Sequence, residues 1–267
     1  MLDLLGPVLA FFVAGICGGV LLGLIGVGMA LVTVPLLIFS LPLFGFDSEA
    51  VPLIALATSM AVVSVGSVSS VLSHNRKGNV IWQVARTTIP VSLIGIAIGS
   101  SLAARLPGGV IRVLFCAFLI YIAIRMLRGR KPGGAAASSQ TGPWHYRLVG
   151  GAIGLAASVI GAGGGVFMVP FLSSRGHPMP KAVATSTLIG LPVSILGAVV
   201  YALQPVDLPG NLAIGYLYVP AFVGLAAGSA LGAPLGVRIS GQLDEALIKK
   251  VFAGALLCVA AAILLEM

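Results

Sequence analysis

The sequence predicts an all-α polytopic membrane protein: two four-segment repeats, inverted relative to each other, each beginning with a Gly-broken re-entrant helical hairpin. Three observations predict this: charge is scarce along the whole chain, the halves match in order, and Lys and Arg are unevenly shared between the connecting loops.

The chain has 267 residues, 58% hydrophobic and only 8% charged, where soluble domains carry about 25% charge. No charged residue occurs from Leu4 to Phe46, from Leu148 to Ser174, from Ala182 to Val206, from Leu208 to Val237 or from Val251 to Leu265. A spanning helix needs about 20 mainly apolar residues, so several crossings are expected. The ~10-residue alternating segments of a membrane β-barrel are absent. The net charge of +8 sits between apolar runs, where the positive-inside rule explains it; no nucleic-acid partner is expected. Cys17, Cys116 and Cys258 show no metal or redox spacing and are read as small buried residues. The first residues carry Asp3 and lack a basic stretch, so no cleaved signal peptide is expected.

The halves correspond in order. Gly26-Val-Gly-Met-Ala-Leu-Val-Thr-Val-Pro35 matches Gly161-Ala-Gly-Gly-Gly-Val-Phe-Met-Val-Pro170. Ala57-Thr58-Ser59 matches Ala184-Thr185-Ser186, and Gly99-Ser100 matches Gly228-Ser229. Ile111-Arg112 with Phe115 matches Ile248-Lys249 with Phe252. Residues 1–128 form the first membrane repeat, 129–145 a basic flexible cytoplasmic loop, and 146–267 the second repeat. The expected apolar segments are 8–39, 51–72, 87–104 and 110–127, then 147–173, 181–204, 212–237 and 246–266.

If all eight segments cross, the loops hold 8 Lys and Arg on one side and 7 on the other, which defines no orientation. If the first segment of each half enters and returns, one side holds 13 and the other only Arg105 and Arg112. That asymmetry is what the positive-inside rule requires. As one helix, segment 8–39 would be about 48 Å long, against about 30 Å of hydrocarbon. The competing reading is a long, tilted, kinked helix. The hairpin reading places both termini outside the cytoplasm of a multi-pass protein of the inner (plasma) membrane.

An enzyme is not expected. His74, His145 and His177 lie near segment ends or loops, and Asp47, Glu49, Asp207, Asp244 and Glu245 are placed like loop residues. No nucleophile or metal motif appears, and no cofactor is expected. The Gly-rich stretches carry the strongest signal. Glycines that break a helix in mid-membrane free backbone N–H groups, which must then line a cavity or be buried in protein. A half-helix starting after Gly165 would point its positive end at such a cavity, an arrangement that binds anions. The matching half-helix would start near Gly28–Ala30, facing it near the midplane. The candidate substrate-binding residues are Gly26, Gly28, Met29, Thr58, Ser59, Gly161, Gly163, Gly164, Gly165, Thr185 and Ser186. Gly18-Gly19, Gly95–Gly99 and Gly150-Gly151 are read as close helix packing. The Thr58-Ser59 and Thr185-Ser186-Thr187 hydroxyls either donate to an anion or bond back to their own helix. Ser64, Ser67, Ser69, Ser70 and Ser73 are read as a packing stripe, and Tyr201 and Gln204 as interfacial. His74-Asn-Arg-Lys-Gly78 anchors topology, with an electropositive vestibule as its second reading.

At Gly161-x-Gly-Gly-Gly-x4-Pro170 the chain resembles the TauE/SafE-type sulfite exporters, also called the TSUP or sulfite/organosulfonate permeases. In that family the Gly-rich motif occurs twice. The second copy here matches in full; the first keeps Gly26, Gly28 and Pro35 but has Met29 and Ala30 in place of glycines. The turn His74–Gly78, followed by Val80, also looks like the family's first-half pattern. The resemblance implies secondary transport of small sulfur-containing anions (sulfite, thiosulfate, sulfoacetate or another organosulfonate) by alternating access. The unequal copies imply that the second half contributes more of the anion contact. Rival readings are an anion channel using the same half-helix ends and a non-transporting membrane accessory subunit. The expected partners are the small anion and the lipid bilayer, with a homodimer left open.

Overall fold

Each half opens on a pair of helices, and in the second half glycines make the break between them. This is seen in a computed structural model of the chain, which describes residues 5–25, 29–127, 142–206, 212–239 and 245–265. In chain order the first half runs α1 (Leu5–Ile25), α2 (Met29–Ser40), a 3-10 turn (Leu41–Phe44), α3 (Val51–Arg76), α4 (Trp82–Ala103) and α5 (Gly108–Leu127). The second half runs α6 (Pro143–Ile160), α7 (Gly165–Ser174), α8 (Met179–Ala202), β1 (Ala213–Ile214), β2 (Leu217–Tyr218), α9 (Val219–Ile239) and α10 (Glu245–Leu265). Most of the loop 129–145, and Asp207 and Asp244, lie outside the described residues.

The protein is a helical, multi-pass membrane protein. Among the described residues α3, α4, α8, α9 and the Gly108–Arg125 stretch of α5 are long and apolar enough to cross a membrane. Their outward faces carry exposed apolar side chains such as Leu72, Ile94, Ile98, Val113, Leu231 and Leu235, as a lipid-facing surface requires. Helix starts follow local chemistry. Pro52, Pro143 and Pro180 sit in the first turns of α3, α6 and α8, where a missing N–H costs nothing. The expected segment 212–237 is shortened at its front. Residues 213–218 form a two-residue antiparallel ladder, Ala213 opposite Tyr218, before α9 begins.

Glycine faces set the packing. α1 lies on α9, and α4 on α6. A Cβ at Gly19 would stand 2.7 Å from the Ser229 carbonyl oxygen, and one at Gly99 would stand 2.6 Å from Ser158 Oγ. These contacts match the close-packing expectation for Gly19 and Gly95–Gly99. The first helix of each half thus packs on the third long helix of the other half. At the centre α3 lies between α8 and α9.

Three hydrogen bonds fix how α3 and α8 run. The Tyr218 amide donates to Thr58 Oγ1 near the start of α3, at 3.1 Å. The Ile81 amide, just past the end of α3, donates to Thr185 Oγ1 near the start of α8, at 2.9 Å. Tyr216 N–H in turn bonds the Tyr201 carbonyl at the end of α8. α3 and α8 therefore run in opposite directions. Lys77 Nζ reaches the Val237 carbonyl at 3.1 Å, so α3 and α9 end side by side. The ends of α3 and α9 and the starts of α4 and α8 share one side, and with them Arg76, Lys77, Arg86, Lys181 and Arg238.

Two sequence expectations are corrected. Tyr201 is not interfacial: it is fully buried, and its hydroxyl donates to the Ser158 carbonyl at 2.9 Å, a partner 43 residues away that local sequence does not reveal. Cys17 and Cys258 are exposed, and only Cys116 is buried; on an apolar outer surface a small thiol is accommodated without a pocket.

Candidate functional site

The break in the second half is built by two glycines. Gly161 closes α6 with φ +69, and its N–H bonds the Ala157 carbonyl. Gly164 precedes α7 with φ +79. A side chain at either position would be held in the left-handed region, at a cost of about 1–2 kcal/mol. Gly163 between them packs against α8 so closely that a Cβ would lie 2.6 Å from the Gly190 carbonyl oxygen. α7 begins at Gly165 and α2 at Met29, the starts read from the sequence.

Both starts meet at one cavity. It is lined from α2 by Met29 and Ala30, from α3 by Val63 and Ser67, from α7 by Gly165 and Val166, and from α8 by Ser186, Thr187 and Gly190, with Leu22, Ala162 and Gly163 closing it. Its volume of about 20 Å³ gives room for about one water. Among the described residues no charged side chain lines it. The N–H groups of Gly165 and Val166 meet no backbone acceptor among the described residues, as expected at a helix start. Ser186 is fully buried, and its Oγ has no hydrogen-bond partner there either. A buried hydroxyl without a partner costs about 1–3 kcal/mol, so Ser186 is the polar group in the wall that gains most from a ligand. Ser186 and the positive end of a helix lie together in the wall, a pairing that suits a small anion.

The other expected site residues have different surroundings. Gly26 and Gly28 lie outside the described residues. Ser59 Oγ donates to the Gly161 carbonyl at 2.9 Å, tying α3 to the break. Thr58 and Thr185 accept the Tyr218 and Ile81 amides. Thr187 Oγ1 bonds back to the Val183 carbonyl at 2.9 Å. Met29, Gly163, Gly165 and Ser186 thus reach the cavity, while Thr58, Ser59 and Thr185 brace the helices around it.

Sequence reasoning missed Ser67 and Gly190 as wall residues. Ser64 and Ser73 bond back within α3, and Ser69 Oγ donates to Ala230 of α9, as packing serines do. Ser67, however, lines the cavity, and Ser70 Oγ is buried without a partner among the described residues. His74 lies in the last turn of α3, only 3% exposed, and neither ring nitrogen has a partner among the described residues. The signal that could have separated these residues is their spacing: 67, 70 and 74 share a helix face.

The family profile described as "Sulfite exporter TauE/SafE" matches residues 11–263. The chain is 31% identical over 255 residues to a probable membrane transporter protein of Haemophilus influenzae, covering 95% of this chain and 96% of that one. It is 25% identical over 233 residues to a probable membrane transporter protein of Methanocaldococcus jannaschii, covering 87% and 86%. A probable membrane transporter protein of Xylella fastidiosa is 30% identical over 241 residues, covering 88% and 86%. No solved structure matches.

Proposed function

This chain belongs to the sulfite exporter TauE/SafE family of membrane transporters, and from that premise we propose that it is a secondary transporter of small sulfur-containing anions. Sulfite, thiosulfate, sulfoacetate or another organosulfonate binds in the cavity between α2, α3, α7 and α8. The observation that carries this reading is that Ser186, whose hydroxyl has no partner among the described residues, lines the same cavity as the start of α7, whose first N–H groups meet no backbone acceptor among them. These groups stabilise negative charge without bringing a fixed cation into the membrane.

Alternating access fits the geometry. A cavity with room for about one water is smaller than a sulfur oxyanion, so the anion enters only when the walls part. Met29 is the flexible wall element, an unbranched thioether that changes shape cheaply. The exchanged packing of α1 on α9 and α4 on α6 supports two inverted halves that rock about the central α3–α8 pair.

A thermal-shift panel tests the reading. Purified protein is melted with sulfite, thiosulfate, sulfoacetate, taurine, sulfate or acetate, since a ligand that binds the folded state raises the melting temperature. The expected result is a rise with a sulfur oxyanion or sulfonate and none with acetate. Saturable uptake and counterflow in proteoliposomes then mark a carrier. Large unitary currents without counterflow would overturn the carrier mechanism, and no stabilisation by any of the sulfur anions would overturn the site.

A further inference from the structure

Ser67, Ser70 and His74 lie at spacings of three and four on α3, so they share one face of that helix. Ser67 opens into the cavity. Seven residues further on, His74 sits in the last turn, at the basic end. All three are buried, at 2%, 0% and 3% exposure. Neither Ser70 Oγ nor either nitrogen of His74 has a hydrogen-bond partner among the described residues. Three unsatisfied buried polar atoms on one face are costly, and lipid-facing or purely packing positions have no use for them. The neighbouring face of the same helix shows the contrast: Ser69 and Ser73 are both partnered, and Val68 and Leu72 point outward.

We propose that the Ser67–Ser70–His74 face of α3 is the inner leg of the anion path. It runs from the cavity to the basic end of the bundle, and His74 is the last donor before water. The closed state is latched by Lys77, whose ammonium donates to the Val237 carbonyl in the last turn of α9, where a cation also suits the helix end. Opening frees Lys77 and lets water and the anion reach His74 and Ser70, whose donors then replace part of the anion's hydration. This extends the transport reading above, which places the anion in the cavity but gives it no route out.

Cysteine accessibility tests it. In a background with Cys17, Cys116 and Cys258 replaced, Ser70→Cys is exposed in inside-out membrane vesicles to two impermeant methanethiosulfonates, one bearing a sulfonate and one a trimethylammonium. Rates are normalised to a free thiol. The expected result is reaction at Ser70→Cys that is faster for the anionic reagent and accelerated several-fold by Lys77→Ala. Leu72→Cys, which is 56% exposed on the outer face, should show neither effect. Ser67→Cys serves if Ser70→Cys fails to fold. No reaction with Lys77 either present or replaced, or a rate indifferent to reagent charge and to Lys77, overturns the inner leg. Sulfoacetate separates the two readings. If it raises the melting temperature yet leaves the labelling rate unchanged, only the inner leg fails. If no sulfur anion raises it while Lys77-gated, charge-selective labelling persists, the cavity site fails and the path stands.

Discussion

Thr58 and Thr185 hold equivalent positions at opposite ends of the antiparallel α3–α8 pair, and each accepts the backbone N–H that leads into a helix of the other half. Thr58 takes Tyr218, just before α9, and Thr185 takes Ile81, just before α4. The two bonds are reciprocal braces between the halves, and they leave Ser59 and Ser186 to face the break at Gly161–Gly164.

Replacing either threonine by valine should therefore cost stability rather than affinity. The substitution keeps the shape and leaves a backbone N–H unpaired, at about 1–3 kcal/mol. Thr58→Val and Thr185→Val should each lower the melting temperature in detergent. The serine variants should recover most of the loss. Anion-induced shifts should persist in all four proteins. A threonine variant of unchanged stability that loses the anion shift would mean that its hydroxyl serves the ligand.

Ser186→Ala should behave in the opposite way. It removes a buried hydroxyl that has no partner among the described residues, so the ligand-free protein should be as stable as before or slightly more so. The shift produced by the active sulfur anion should shrink. Ser59→Ala should instead destabilise by about 1 kcal/mol, the usual net worth of one hydrogen bond, because it releases the Gly161 carbonyl. Paired melting curves with and without anion separate the two roles of adjacent-looking hydroxyls.

The break itself should tolerate little. Gly164→Ala forces a left-handed conformation on a residue with a side chain, and its Cβ would stand 2.6 Å from Ile153 Cγ2. Gly163→Ala drives α7 from α8 at the Gly190 carbonyl. Overpacking of this kind costs about 1–3 kcal/mol. Each variant should melt earlier than the parent. Because that loss mixes packing with binding, Ser186→Ala is the cleaner probe of the site.

Much of this architecture is legible in the sequence, for local reasons. Long uncharged runs mark the helices, and glycines mark where α2 and α7 start. The motif copies brought Met29 and Gly165 to one cavity. What the sequence hides is pairing across distance. Thr58 finds a partner 160 residues away and Thr185 one 104 residues away, and nothing near either hydroxyl distinguishes a brace from a ligand donor. The serines of α3 mislead for the same reason. All five look alike in sequence, and only the neighbours supplied by α9 and the cavity separate Ser69 from Ser67 and Ser70.

Sidedness gives the last prediction. The hydrogen bonds from Lys77 to Val237 and from Ile81 to Thr185 gather the ends of α3 and α9 and the starts of α4 and α8 on one side. The Gly108 amide donates to Glu49 Oε2 at 2.8 Å, and this joins the starts of α3 and α5 on the other. The first side carries Arg76, Lys77, Arg86, Lys181 and Arg238, and the second Arg105 and Arg112. The positive-inside rule then puts Asn75 in the cytoplasm and Ser48 outside. In intact cells, with the native cysteines replaced, an impermeant thiol reagent should label Ser48→Cys directly and Asn75→Cys only after permeabilisation. The reverse pattern would invert the bundle and send the Ser67–His74 face toward the outer surface.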